Sequence, residues 1–121
     1  MHYRHNQVQL TGRAAADPEL YFTTDGTAKA RLHLLQDHRA DERPSRFVLI
    51  GWAGLARRLH EVVRAGDRLF VQGELRTRSY VADGQNHLRT EVHLESYVLL
   101  KSPRSTKRLA ESRNRTTGDR P

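Results

Sequence analysis

No cysteine occurs among the 121 residues, so neither a disulfide framework nor a thiolate metal site can form. No window approaches the roughly 20 apolar residues that a membrane-crossing helix needs. The opening MHYRHNQVQL also lacks the apolar core of a secretory signal. The expectation is a soluble protein of the reducing cytoplasm. Catalytic motifs are missing too. DGTAKA lacks the Gly-Lys-Ser/Thr ending of a phosphate loop, and no nucleophile elbow is present. His2, His5, His33, His38, His60, His87 and His93 form no ligand spacing with carboxylates. No enzyme activity, cofactor or metal site is expected.

What is present is positive charge, unevenly spread. The formal net charge is +7, but residues 1–100 carry 14 Lys/Arg against 12 Asp/Glu, a net of +2. Residues 101–121 carry 7 against 2, a net of +5, and have almost no large apolar side chains. That segment cannot bury enough surface to fold alone and is expected to be a disordered basic tail. One small domain over residues 1–100 remains. Its partners must be argued from where charges fall, since a basic tail has many uses.

Val8 and Leu10 alternate with Gln7 and Gln9, giving a first strand that runs into Gly12. AAADPELYFTTDG reads as a loop, punctuated by Pro18 and Asp25-Gly26. TAKARLHLL alternates strictly, with Ala28, Ala30, Leu32 and Leu34 on one face and Lys29, Arg31 and His33 on the other. The inward alanines imply a close neighbour. RFVLIGW is β-branched and aromatic enough for a largely covered strand. AGLARRLHEVVRAGD changes to helical period, with Leu55, Leu59, Val62 and Val63 on one side and Gly66 where a C-cap belongs. RLFVQGEL returns to strand, Gly73 marking a bulge or bend, and TEVHLESYVLL supplies the last strand. Phe47 and Phe70 are expected in the core. The fold class is all-β: a five-stranded OB-fold Greek-key barrel with one helix between strands 3 and 4. A split α+β sandwich has a similar element count.

GELRTRSYVADGQNHLRTEVHLE, Gly73 to Glu95, reads as a finger of two antiparallel strands turning at Asp83-Gly84. Arg76, Arg78 and Arg89 flank the ring of Tyr80, a pairing suited to a flexible polyanion whose units are flat. The bland reading is ordinary cross-strand pairing, with Arg89 and Glu91 as solubilising charges. Lys29, Arg31 and His33 could carry phosphates or form a plain solvated face. Trp52 shares a side with Ile50 and Arg46 if its strand continues through Gly51. It is then either a stacking platform or an anchor for the core or helix start. Tyr21 and Phe22 could pack beneath the sheet or meet a base.

NQVQLTGR, DPEL, TTDGTAKARLHL, RFVLIG, GDRLFVQGELRTRSY and RTEVHLESYVLL occur in the order in which similar runs occur in the bacterial single-stranded DNA-binding protein family. The chain resembles that family from Asn6 to Leu100. The resemblance implies an OB-fold, a homotetramer, and binding of single-stranded DNA with little sequence preference, without catalysis. It implies that Arg46, Arg76, Arg78 and Tyr80 occupy DNA-binding positions, whereas Ile50 and Pro44 fall where the family carries aromatics. The DNA-binding set is therefore Lys29, Arg31, His33, Arg46, Trp52, Arg76, Arg78 and Tyr80. Family members that recruit repair enzymes end in an acidic tip, which Gly118 to Pro121 does not provide, so such recruitment is not expected. The alternatives are a primosome-type accessory OB protein and an OB-fold adaptor that binds only proteins. A nucleoid-associated role in DNA replication, recombination or repair follows.

Overall fold

A computed structural model describes residues 5–103. All of the basic tail beyond residue 103 lies outside the described residues. The element order is β1 (Val8–Ala14), β2 (Glu19–Phe22), β3 (Ala28–Gln36), β4 (Ser45–Trp52), α1 (Ala53–Val62), β5 (Arg68–Ala82) and β6 (Gln85–Lys101). Among the described residues there are therefore six strands, not five. The extra one, β2, lies within the stretch expected to be loop and pairs antiparallel with β3, from Glu19 opposite Arg31 to Phe22 opposite Ala28. Four residues of mixed polarity are too few to display an alternation, so pairing with β3 rather than intrinsic pattern makes them a strand.

The sheet order is β1-β5-β6-β4-β3-β2, and β1 also pairs with β3 through Arg13 and Ala14. β4 and β6 run parallel at Leu49–Val92 and Ile50–His93, and the other pairings are antiparallel. A sheet of mostly antiparallel strands with one helix between β4 and β5 is consistent with OB-fold topology.

Alternation in β3 falls as the sequence requires, with Ala28, Ala30, Leu32 and Leu34 buried. They join Leu49, Leu69, Val71 and Val92 in the core. Ala30 lies opposite Gly51, and a side chain on Gly51 would come within 2.8 Å of Leu59 of α1. That is the close neighbour the alanines imply. The helix stops earlier than its period suggests. Val63 turns to extended backbone and is fully buried, while Gly66, with φ 87, serves the following turn rather than the helix C-cap. The next backbone N–H groups are taken by side chains: Arg64 N–H donates to Asp67 Oδ2 at 2.9 Å and Ala65 N–H to Asp17 Oδ1 at 2.8 Å. With those donors satisfied outside the helix, another helical turn gains little.

Phe70 corrects a second expectation. Leu69 and Val71 take the core side of β5, so Phe70 between them faces the other way and is only half-buried. Phe47 does pack against the core. At Gln72/Gly73 the β5–β6 register shifts, which is the irregularity Gly73 signals, and any Cβ there would lie 2.2 Å from the His93 carbonyl oxygen. The first arm of the finger is thus continuous with β5, and the return arm with β6. At the root, the Asn6 carboxamide donates to Leu75 O at 2.7 Å and accepts from Leu75 N–H at 2.8 Å, in the manner of a further strand residue.

Candidate nucleic-acid interface

The outward face of β2, β3 and β4 is organised in rows. Lys29 stands between Tyr21 on β2 and Trp52 on β4. Arg31 stands between Glu19 and Ile50, and Ile50 continues to His93 on β6. His33 stands beside Val48 and one register step from Arg46. Strand β4 does run through Gly51 to Trp52, so the only tryptophan shares this face rather than entering the core. It is 37% exposed. The Lys29 ammonium lies 5.3 Å from its ring centroid, a cation–π distance. Its indole N–H donates to His93 Nδ1 at 3.2 Å. Ile50 is fully buried although it lies on the outward face and outside the core cluster.

The cations on this face are braced. Arg31 donates to Glu19 Oε2 at 3.2 Å and to the Tyr21 hydroxyl at 2.8 Å, with its guanidinium 5.4 Å from the Tyr21 ring centroid. The Tyr21 hydroxyl in turn donates to Glu19. That bond first, and Arg31 second, hold the Glu19 carboxyl below its usual range, while the carboxylate raises the Tyr21 phenol. Arg46 Nε donates to His33 Nδ1 at 3.2 Å. Burial, then Arg46 and Arg31, push His33 below the ordinary histidine value, so the imidazole is a neutral acceptor at neutral pH.

The finger turns at Asp83-Gly84, whose φ angles of 53 and 73 suit a tight hairpin. Arg78 faces Arg89 and Tyr80 faces His87. The Tyr80 and His87 rings stack at 5.4 Å, and the Arg89 guanidinium lies 5.0 Å from the Tyr80 centroid. Near the root, Arg76 pairs with Glu74 at 2.8 Å and Arg78 reaches Glu91 at 3.6 Å. Glu91 is 2% exposed, so it is a buried brace and not a solubilising charge.

Of the residues singled out by sequence, Lys29, Arg31, His33, Arg46 and Trp52 share the sheet face. Arg76 borders it through Glu74 and Glu91, while Arg78 and Tyr80 belong to the finger. From His93 to His87 the strand spans about 20 Å, so the two aromatic stations are separate. Sequence reasoning left Tyr21 undecided and missed Glu19, Glu91 and His93. Two of these had a readable signal: Glu91 and His93 are two apart on one strand and so share a face. Among the described residues no three His, Asp or Glu side chains gather as a metal requires, and no helix is long and apolar enough to cross a membrane.

OB-fold proteins take up oligonucleotides on the face of two central strands and on the loops beside them. Flat rings interleaved with cations on such a face define the class of single-strand binders. The chain belongs to the Single-strand binding protein family, which matches residues 5–100. It is 39% identical over 103 residues to Single-stranded DNA-binding protein 1 of Streptococcus pyogenes, covering 81% of this chain and 79% of that one. It is 36% identical over 120 residues to Single-stranded DNA-binding protein 2 of Streptococcus agalactiae, covering 95% and 89%. The Single-stranded DNA-binding protein of Thermus thermophilus is 38% identical over 114 residues, which cover 91% of this chain and 42% of that protein.

Proposed function

We propose that this protein binds single-stranded DNA with little sequence preference in DNA replication, recombination or repair, and catalyses no reaction. Bases stack on Trp52, Tyr21 and Tyr80, while Lys29, Arg31, Arg46, Arg76, Arg78 and Arg89 neutralise phosphates. The observation that carries this reading is the row Tyr21, Lys29, Trp52: ring, cation, ring on three adjacent strands. Every base has a flat face, so such a row is blind to sequence, and a duplex keeps those faces inside its stack.

The pairing of β1 with both β5 and β3 supports closure of β1, β5, β6, β4 and β3 into an OB barrel, with β2 as an added strand outside the ring. Val98 and Leu100 are more than half exposed near the end of β6, which supports burial against further copies in a homotetramer. Its place of action in this reading is the cytoplasm, on the nucleoid, where DNA replication, recombination and repair occur.

Titration with oligo-dT, followed by Trp52 fluorescence, tests the proposal. The expected result is a salt-sensitive quench that single strands compete and duplex does not. Retention of oligo-dT without any quench would move the bases away from Trp52, and a preference for duplex would reject the reading. The adaptor alternative draws support from the carboxylates that already occupy Arg31, Arg76 and Arg78. It predicts no binding of any single strand at low salt. Light scattering decides the oligomer.

A further inference from the structure

A line of side chains joins Trp52 to the root of the finger, and neither stacking nor phosphate binding accounts for it. The indole N–H donates to His93 Nδ1 at 3.2 Å, His93 Nε2 lies 3.4 Å from Glu91 Oε1, and Glu91 Oε2 lies 3.6 Å from Arg78. One tautomer satisfies both ring nitrogens: with Nδ1 accepting from the indole, the imidazole proton sits on Nε2 and points at Glu91. A second proton would have to go on Nδ1, setting an N–H donor against the indole N–H and breaking their bond.

We propose that His93 is a positioning residue for the Trp52 platform: neutral, it fixes the indole plane beside Lys29, and protonated, it releases it. The groups facing the imidazole come from four strands: Glu74 and Arg76 on β5, Glu91 on β6, Lys29 on β3, and Ile50 and Trp52 on β4. Burial, Arg76 and Lys29 oppose the added proton, and Glu91 favours it. Burial is the largest of these, so the imidazole titrates below its ordinary range and is neutral at neutral pH. Release of the indole therefore belongs to acid conditions. The consequence for DNA rests on Trp52 being a stacking surface; the positioning itself does not.

The test uses the full chain, and because Trp52 is the only tryptophan there is a single indole N–H resonance to follow. Without DNA, that resonance should shift together with the His93 ring as the pH falls, with a midpoint below the ordinary histidine value of about 6.5. His93→Gln keeps an acceptor for the indole but cannot titrate, so its indole resonance should stay near the wild-type neutral position at every pH. His93→Leu should displace the resonance throughout; if that variant fails to fold, His93→Gln decides alone. A wild-type resonance that does not move overturns the proposal. So does one that still moves in His93→Gln, since every other histidine is unchanged in that variant.

The oligo-dT quench at saturation should then shrink with falling pH in the wild type and stay level in His93→Gln. A level quench beside a moving resonance overturns the link to DNA. Oligo-dT bound with no quench at about pH 7.5 removes the stacking reading, while the DNA-free resonance still judges His93.

Discussion

The sheet face and the finger carry the same chemistry, rings beside cations, at different degrees of preorganisation. On the sheet, Trp52 is held by Lys29 and His93, and Arg31 by Glu19 and Tyr21, above a strand whose other face lies in the core. On the finger, Tyr80 is held by His87 and Arg89, and the opposite face leaves Val81 71% and Leu88 76% exposed. A two-stranded hairpin is marginal by itself, so any ligand gripped there would cost the finger conformational freedom. Identical residue types are therefore expected to contribute unequally.

The comparison breaks most severely at the junction of the two regions. Gly73→Ala sets a Cβ against the His93 carbonyl and the Leu94 backbone, where no flexible side chain can yield. The expected loss is about 3 kcal/mol or more of stability, read as a lower midpoint in chemical denaturation, with both stations weakened together. An unchanged midpoint would mean that the finger is not anchored there.

Paired alanine variants sharpen the contrast. Trp52→Ala should cost oligo-dT binding near the upper end, and Tyr80→Ala near the lower end, of the roughly 1–3 kcal/mol for one stacked base. Anisotropy of a labelled oligonucleotide measures both, and the reverse order would make the finger the principal site. Glu19→Gln releases Arg31 from its brace. The expected gain is about 0.7 in the magnitude of the slope of log affinity against log salt, one additional phosphate contact. No change would show that Glu19 does not withhold Arg31 from a phosphate.

The smallest effect concerns pH. Burial depresses His33 on folding, so the unfolded chain takes up a proton there first, and stability that is complete above about pH 6.5 falls as the pH drops below it. Melting temperature should therefore decline between about pH 7 and about pH 5, and less steeply in His33→Gln. A parallel decline in both proteins would place the sensitivity elsewhere.

Much of this arrangement is legible in the sequence, for reasons that can be stated. The period of β3 separates Lys29, Arg31 and His33 from Ala28, Ala30, Leu32 and Leu34 without help from tertiary structure, and Asp83-Gly84 announces its own turn. Neighbours across strands are what periodicity cannot supply. Glu19 meets Arg31, and Tyr21 meets Lys29, only because β2 pairs with β3 in that register, and no local pattern marks β2 as a strand. Trp52 stays open to two readings until β4 and β6 are known to run side by side, which brings His93 to its indole. The helix end is missed because Asp17, distant in sequence, takes the N–H that another helical turn would use. Charge type is legible, but charge availability is not: Arg31, Arg76 and Arg78 look alike on paper, and each is already engaged with a carboxylate.

Asn6 closes the root of the finger in a way that bears on what cannot happen there. Where β1 leaves β5, the backbone of Leu75 would otherwise offer an unsatisfied donor and acceptor to any passing extended chain. Both are sealed by one carboxamide, so an intruding segment finds no foothold at the spot where the ribbon leaves the sheet. A side chain upstream of the first strand thus guards the edge against adhesion while leaving the ribbon beyond it free to reach.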